Sequence, residues 1–179
     1  MQRRLIFTVA WIGMCLLPVT QAQEKEEPEE RVELPGLAWL ADLAGSCWTG
    51  STREGKVKDT QCYGTQYGRF LRGTIQLGNP DDDPGRSPYE GDSVWAWDPK
   101  KKKISFYYWS SAGTFGVSDG LVDGEMIRFP DPPRLDARQP PTRSTWIRLD
   151  GNSYKVIREK KIKGAWKETD SVVYTRVIP

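Results

Sequence analysis

The sequence predicts an all-β fold, an antiparallel and mainly up-and-down β-barrel of about eight to ten strands with a short N-terminal helix closing one end. Two observations carry this prediction. Segments that alternate apolar and polar residues follow one another through most of the chain, and turn signals such as Asp-Gly separate them about every ten residues. Such regular spacing is typical of a barrel or sandwich built from sequential hairpins.

The N-terminus has the pattern of a secretory signal peptide over residues 1–22. Arg3 and Arg4 precede the apolar run LIFTVAWIGMCLL, and PVTQA ends on the small residue Ala22. Cleavage there predicts a mature chain that begins near Gln23 and is periplasmic or secreted. No second apolar run is long enough to form a transmembrane segment.

The charge balance argues against nucleic acid as a partner. The chain has 26 Lys and Arg against 24 Asp and Glu, and the predicted signal peptide removes two arginines, so the mature protein is neutral overall. Residues 23–35 are acidic and proline-interrupted, which predicts a flexible segment, and residues 36–179 are predicted to form one domain. The sequence does not define an oligomeric state.

The segment PGLAWLADLAG predicts the short helix. Leu37, Leu40 and Leu43 recur at helical spacing, with Pro35 before them and Gly45 after them. Ten strand segments follow, namely CWTGSTR, KVKDTQCYGTQYG, RFLRGTIQLG, YEGDSVWAWD, KISFYYWSS, GTFGVSDGLV, EMIRF, RSTWIRL, NSYKVIREKKI and AWKETDSVVYTRV. The stretches 78–88 and 130–141 contain too much proline for central strands and are predicted loops.

Two cysteines remain after the predicted cleavage, and in an oxidising compartment they predict a disulfide between Cys47 and Cys62. If Glu54-Gly55 is a two-residue turn, Arg53 faces Lys56, and counting outward places the two cysteines opposite each other. A redox site is the alternative, but it more often uses a close C-x-x-C pair.

Pairing around the turn at residues 98–101 predicts one apolar face. Trp95 would lie opposite Ile104 and Ser93 opposite Phe106, so that Trp95, Ile104, Phe106 and Tyr108 share a surface.

Pairing around Asp150-Gly151 predicts a second apolar face, with Ile147 opposite Tyr154 and Thr145 opposite Val156. The aromatic residues Tyr107, Trp109 and Trp146 would then lie on the other side of the sheet. The aromatic side chains have three interpretations: core packing, the wall of an apolar cavity, or a stacking platform for a ligand.

The residue inventory excludes several kinds of chemistry. The sequence contains no histidine, which removes Ser-His-Asp and Cys-His systems, histidine-based zinc sites and a haem held by a proximal histidine. The acidic run at residues 81–83 lacks the spacing of a calcium loop. We therefore predict no catalytic residue, no metal and no cofactor. Arginines on predicted strands need a partner or an anionic ligand if they point inward, namely Arg72, Arg143, Arg148 and Arg158.

The stretch LAGSCWTG resembles the opening of bacterial lipocalin-like barrel domains of unknown function, in which a helix ending in glycine leads to a tryptophan. YEGDSVWAWDPKKKKISFYYWSSAGTFGVSDGLVDG is similar to the middle of that family, and VVYTRV to its last strand. Two residues separate Gly45 from Trp48, where the family pattern has one. The resemblance implies a barrel whose interior can hold a small ligand, with Gly45 ending the helix and Trp48 packing across the closed end.

These observations together predict an exported barrel that binds a small apolar or aromatic molecule without catalysis. The predicted wall residues are Trp95, Phe106, Tyr108 and Trp146, with Arg72 as a polar anchor. Two alternatives stay open. A filled barrel would be an interaction module, which an exposed patch at Tyr107 and Trp109 would favour, whereas a lyase or isomerase would need a carboxyl group or tyrosine with a shifted pKa inside a pocket.

Overall fold

The fold is a closed antiparallel β-barrel of ten strands within the part of the chain that the computed structural model describes, which is residues 34, 36–52, 55–78, 89–130 and 140–177. Each strand pairs with its neighbours in the chain, and the first strand pairs with the last to close the barrel. The up-and-down topology therefore agrees with the prediction. The predicted signal peptide and most of the acidic segment lie outside the described residues.

The ten strands follow a 3₁₀ helix at Ala38–Leu43. They are β1 (Ser46–Thr52), β2 (Val57–Gln66), β3 (Phe70–Gly78), β4 (Tyr89–Asp98), β5 (Lys103–Ser110), β6 (Phe115–Asp123), β7 (Met126–Pro130), β8 (Thr142–Arg148), β9 (Ser153–Ile162) and β10 (Ala165–Arg176). None of the helices in the described ranges has the length and apolar character that crossing a membrane requires.

The segment predicted as a short amphipathic helix is a single 3₁₀ helix of six residues. Because a 3₁₀ helix has three residues per turn, Leu37, Leu40 and Leu43 lie along one side, and all three are buried. Leu34, which the sequence placed in the flexible segment, is also buried, and its carbonyl accepts a hydrogen bond from the Leu37 amide. That the helix closes one end of the barrel stays a prediction.

The first hairpin has the predicted register. Cys47 lies opposite Cys62, and a disulfide joins them across β1 and β2 with a Cα–Cα distance of 3.9 Å. Trp48 and Gln61, the neighbours of these cysteines in each strand, are buried. Since successive side chains alternate between the two faces of a strand, the disulfide lies on the outer face of the barrel.

The register between β4 and β5 differs from the prediction by two residues. Trp95 pairs with Phe106, and Ser93 pairs with Tyr108. The cause is a four-residue connection, 99–102, in which the Asp98 carboxylate accepts hydrogen bonds from two successive backbone amides. A shift of two keeps every side chain on its predicted face. The apolar face of β4 and β5 is therefore confirmed although its pairing was wrong.

The register between β8 and β9 differs from the prediction by one residue, which reverses the faces of β8 relative to β9, while Tyr154 and Val156 are buried as predicted. Trp146 pairs with Val156 and Arg148 pairs with Tyr154, whereas the turn at Asp150-Gly151 predicts Ile147 opposite Tyr154. The pair Arg148–Tyr154 encloses five residues, 149–153, an odd number where the predicted turn has two, and the Asp150 carboxylate accepts a hydrogen bond from the Asn152 amide at 2.7 Å. Trp146 is consequently buried with Val156 inside the barrel.

The two ends of the barrel differ in content. Since neighbouring strands are antiparallel, β1 begins and β10 ends at the same end, which we call the lower end. Trp48 and the 3₁₀ helix contact each other there, where the Trp48 indole nitrogen donates to the Leu43 carbonyl at 3.4 Å. The strands β2, β4, β6, β8 and β10 begin at the opposite end, the upper end. The cavity described next lies towards this end.

Candidate functional site

A cavity of about 330 Å³ lies inside the barrel, within the size range of small-molecule sites. Its wall is apolar and aromatic over one part, formed by Ile75, Leu77, Trp95, Phe106, Phe129, Trp146 and Val156. Its polar part is formed by Asp59, Gln61, Tyr63, Tyr89, Ser93, Tyr108, Ser144 and Arg158. These side chains come from seven strands, β2 to β5 and β7 to β9, so only the closed barrel brings them together.

The structure brings four of the five predicted ligand residues together in this wall. The Trp95 ring centroid lies 4.3 Å from that of Phe106 and 4.9 Å from that of Trp146, and Phe106 stacks on Tyr108 at 6.2 Å. Trp95 and Trp146 are buried, while Phe106 and Tyr108 are partly exposed. The aromatic rings therefore pack on one another, and the ring surfaces that remain free of these contacts face the cavity.

The predicted polar anchor, Arg72, does not line the cavity, and this placement is a correction. Its side chain is 54% exposed on the outer face of β3 and forms an ion pair with Asp92 at 3.1 Å. Arg72 pairs with Val94, one position away from Trp95, so the alternation of β3 and β4 turns it outward. The arginine that does line the cavity is Arg158 of β9, which is ion-paired with Asp170 at 2.6 Å.

The residues predicted for the closed end lie at the lower end. Trp48 is 2% exposed, and the Arg176 guanidinium lies 4.7 Å from the centre of its ring. Arg176 also donates to the Asp42 carbonyl at 3.0 Å, which links the last strand to the helix. Gly45 follows the helix with a φ of 74°, a left-handed conformation that favours glycine.

Three tyrosines, a glutamine and an aspartate form a buried hydrogen-bond network beside the cavity. Tyr174 donates its hydroxyl proton to the Asp59 carboxylate at 2.5 Å, and Gln61 donates to both Asp59 (3.2 Å) and the Tyr174 hydroxyl (2.9 Å). The Gln61 side-chain carbonyl accepts from Tyr63 (2.5 Å) and from Tyr154 (3.2 Å). The aspartate, the glutamine and Tyr63 reach the cavity wall.

Burial controls the ionisation of this network. It raises the pKa of Asp59, although hydrogen bonds from Tyr174 and Gln61 and the nearby charge of Arg158 act in the opposite direction. Burial likewise raises the pKa of Tyr63, Tyr154 and Tyr174 well above the ordinary phenol value. A carboxyl group and a tyrosine with raised pKa values thus lie in a pocket, which is the condition set above for a catalytic alternative.

The network predicts a loss of stability at alkaline pH. In the unfolded chain these phenols ionise near pH 10, but in the folded chain they hold their protons to higher pH, so unfolding releases protons above about pH 10. We expect the free energy of unfolding to fall as the pH rises through this window, measured by denaturant titration at several pH values. Tyr63→Phe removes one such phenol and should reduce the slope. An equal slope in both proteins would contradict the assignment.

An irregularity in β10 positions the cavity arginine. The register between β9 and β10 shifts between Glu168 and Asp170, which places Asp170 opposite Arg158. The Thr169 hydroxyl, at the shift, donates to the Arg158 carbonyl at 3.2 Å. Such a β-bulge re-aims side chains, and here it pairs the only guanidinium in the wall of the cavity, as far as the described residues show, with a carboxylate.

A pair of tyrosines forms the other polar part of the wall. The hydroxyl groups of Tyr89 and Tyr108 are hydrogen-bonded to each other. The Tyr108 ring lies against Gly91, where a Cβ atom would be 2.8 Å from ring atoms. Glycine at position 91 is therefore needed for the Tyr108 ring to occupy this place, because any larger residue would displace it.

An aromatic surface also lies on the outside of the barrel. Tyr107 and Trp109 lie on the side of β5 that alternation predicts and are each 40% exposed, and Phe115 of β6 is 65% exposed. Phe115 pairs directly with Trp109, and Tyr107 pairs with Val117. We call these four residues the outer aromatic patch.

The polar part of the cavity wall gives no recognisable signal in the sequence, for a physical reason. The inward positions of β2 are Asp59, Gln61 and Tyr63, so this strand has a polar side facing the core, and hydrophobic alternation gives no signal there. Tyr174 was visible in the apolar segment SVVYTRV, but its partner is 115 residues away. Buried polar residues on one strand become recognisable only when their hydrogen-bond partners are known.

Within the described ranges, no group of three or more Cys, Asp or Glu side chains is arranged to hold a metal ion. Comparison of the sequence with models of known protein families gives no match, and a search of curated proteins gives no significant match either. The class that the fold and the site define is a ten-stranded antiparallel barrel with an aromatic internal cavity and a buried polar network.

Proposed function

We propose that this protein is an exported carrier that binds one small apolar or aromatic molecule in the barrel cavity without chemical conversion. The observation that carries the proposal is the cavity of about 330 Å³. Its wall combines aromatic side chains with a set of polar groups, and the aromatic ones are Trp95, Phe106, Phe129 and Trp146. Ligand sites of this size are typically apolar and aromatic with a few polar groups that orient the ligand.

Binding is favoured over catalysis by the state of the buried acid. Both carboxylate oxygens of Asp59 accept hydrogen bonds from the protein itself, from Tyr174 and Gln61. These two hydrogen bonds hold the carboxylate in a fixed orientation, and each oxygen keeps room for one further hydrogen bond from a ligand. The network therefore suits a fixed polar wall better than a proton-transfer site.

Export and family membership are part of the same proposal. The Arg3–Ala22 sequence pattern supports a cleaved signal peptide, and the Cys47–Cys62 disulfide supports an oxidising compartment. The ten-stranded barrel is compatible with the lipocalin-like resemblance of LAGSCWTG. A carrier in such a compartment would hold its ligand away from water.

Native mass spectrometry of the protein purified from its own compartment tests the carrier proposal. We expect an excess mass of a few hundred daltons over the mature chain, lost on unfolding. Ser144→Trp places a large side chain in the cavity wall and should abolish the excess mass, whereas Thr175→Trp, at an exposed position of β10, should keep it. An unadorned mass for the wild-type protein, or an equal ligand load in both variants, would contradict the proposal.

The outer aromatic patch favours a second candidate, an interaction module. Exposed aromatic residues that adjoin one another often mark protein contacts. Under this alternative Trp109→Ala would weaken association with a partner while Ser144→Trp would have no effect. The carrier proposal predicts the opposite sensitivity.

A further inference from the structure

The cavity wall carries one buried carboxyl group, Asp59, whose charge is only partly offset, because the arginine in the wall is already paired with another carboxylate. Asp59 is 2% exposed, and the cavity is otherwise lined by a single ionisable group other than tyrosine, Arg158, among the described residues. Arg158 forms its ion pair with Asp170 at 2.6 Å. The three charged groups therefore sum to one negative charge at the polar part of the cavity.

Hydrogen-bond donors and acceptors around Asp59 are also unbalanced. Tyr174 and Tyr63 donate their hydroxyl protons to Asp59 and Gln61, and Gln61 donates to Asp59 and Tyr174. These donors are used within the network, while a carboxylate oxygen has room for a second hydrogen bond. The wall around Asp59 consequently offers acceptors to a ligand and few donors.

We propose that the cavity selects a ligand with a protonated amine on a flat apolar or aromatic body, the ammonium group contacting Asp59 and the body lying on the Trp95 and Phe106 rings. This inference rests on the carrier function proposed above. An ammonium group supplies both the missing positive charge and the missing hydrogen-bond donors. The aromatic rings that share the cavity wall provide the surface for the apolar body of such a ligand.

The energetics of the buried acid agree with this ligand class. Burial raises the pKa of Asp59, which means that its charge is costly in the empty cavity. An ammonium group placed beside the carboxylate offsets this cost, whereas a ligand carboxylate would add a second negative charge beside it. A neutral ligand would leave the cost unchanged.

Three indoles that differ only at the end of the side chain test the proposal. The probes are tryptamine, which is a cation at pH 7, tryptophol, which is neutral, and indole-3-propionate, which is an anion. With the mature protein, we expect isothermal titration calorimetry to give a Kd for tryptamine at least about tenfold lower than for the other two, as a charge-assisted hydrogen bond predicts.

Variants locate the selectivity at one side chain. Asp59→Asn keeps the shape of the residue but removes the charge, and the preference for tryptamine over tryptophol should fall to about twofold or less. Asp92→Asn removes a carboxylate from the outer face and should leave the preference intact. Tyr174→Phe removes a hydrogen bond to Asp59 while keeping its charge, so it should also retain the preference even if it lowers stability.

The outcomes separate this inference from the carrier proposal. Equal binding of all three indoles, or tighter binding of indole-3-propionate, would overturn amine selection and leave a carrier of another ligand class. If no indole binds, amine selection is also overturned, and the carrier proposal fails only if native mass spectrometry shows no bound molecule. An unchanged preference in a folded Asp59→Asn variant would likewise overturn the inference.

Discussion

Replacement of Trp48 by alanine is expected to lower the free energy of unfolding by about 3–5 kcal/mol, the range found for buried tryptophans. Trp48 is 2% exposed, its indole nitrogen donates to the Leu43 carbonyl, and its ring meets Tyr154 edge-on at 5.2 Å. Truncation would leave a cavity between the 3₁₀ helix and the barrel strands. It would also remove the ring surface on which Arg176 lies.

Trp109→Ala is the matched control for this prediction. Trp109 has the same side chain, but it is 40% exposed on the outer face of β5, so we expect a loss of about 1 kcal/mol or less. Denaturant unfolding followed by circular dichroism gives both values. Equal midpoints for the wild-type protein and Trp48→Ala would show that Trp48 does not hold the lower end together.

Removal of the disulfide is the second large effect, with an expected loss of roughly 3 kcal/mol. The bridge joins residues 15 positions apart, and in the chain-entropy model a loop of this length limits the freedom of the unfolded chain by about that amount. Because Cys47 and Cys62 lie on the outer face, their replacement leaves no hole in the core. The double variant Cys47→Ser/Cys62→Ser should therefore fold, but less stably.

A reducing agent provides the control for the disulfide prediction. It should lower the unfolding midpoint of the wild-type protein towards that of the double serine variant, and it should not change the variant. If the reductant lowers both midpoints equally, its effect is not due to this bond. If the double variant unfolds at the wild-type midpoint, the bridge contributes nothing measurable to stability.

The two mispaired hairpins show how far sequence patterns determine the interior. Between β4 and β5, an error of two residues preserved the faces, so Trp95 and Phe106 were placed correctly on one surface. Between β8 and β9, an error of one residue placed Ile147 on the inner face, where the structure has Trp146. In both cases an aspartate at the connection set the loop length through backbone hydrogen bonds, which alternation along the strands does not encode.

The polar side of the cavity depended on contacts between distant strands. Asp59 and Tyr174 stand near opposite ends of the domain sequence, and only closure of the barrel through β1 and β10 brings them within 2.5 Å. Which arginine lines the cavity also depends on how the strands pair. Arg72 and Arg158 are equivalent by sequence pattern, and it is the register of each strand that turns Arg72 out and Arg158 in.

The sequence by itself determined the all-β class, the sequential hairpins, the Cys47–Cys62 pairing and the aromatic face of β4 and β5, because these follow from local turns and two-residue alternation. Only the tertiary structure decided which polar residues share the interior. Hydrogen-bond partners such as Asp59 and Tyr174 are chosen by barrel closure and by the bulge in β10, which are properties of the whole sheet and not of any one strand.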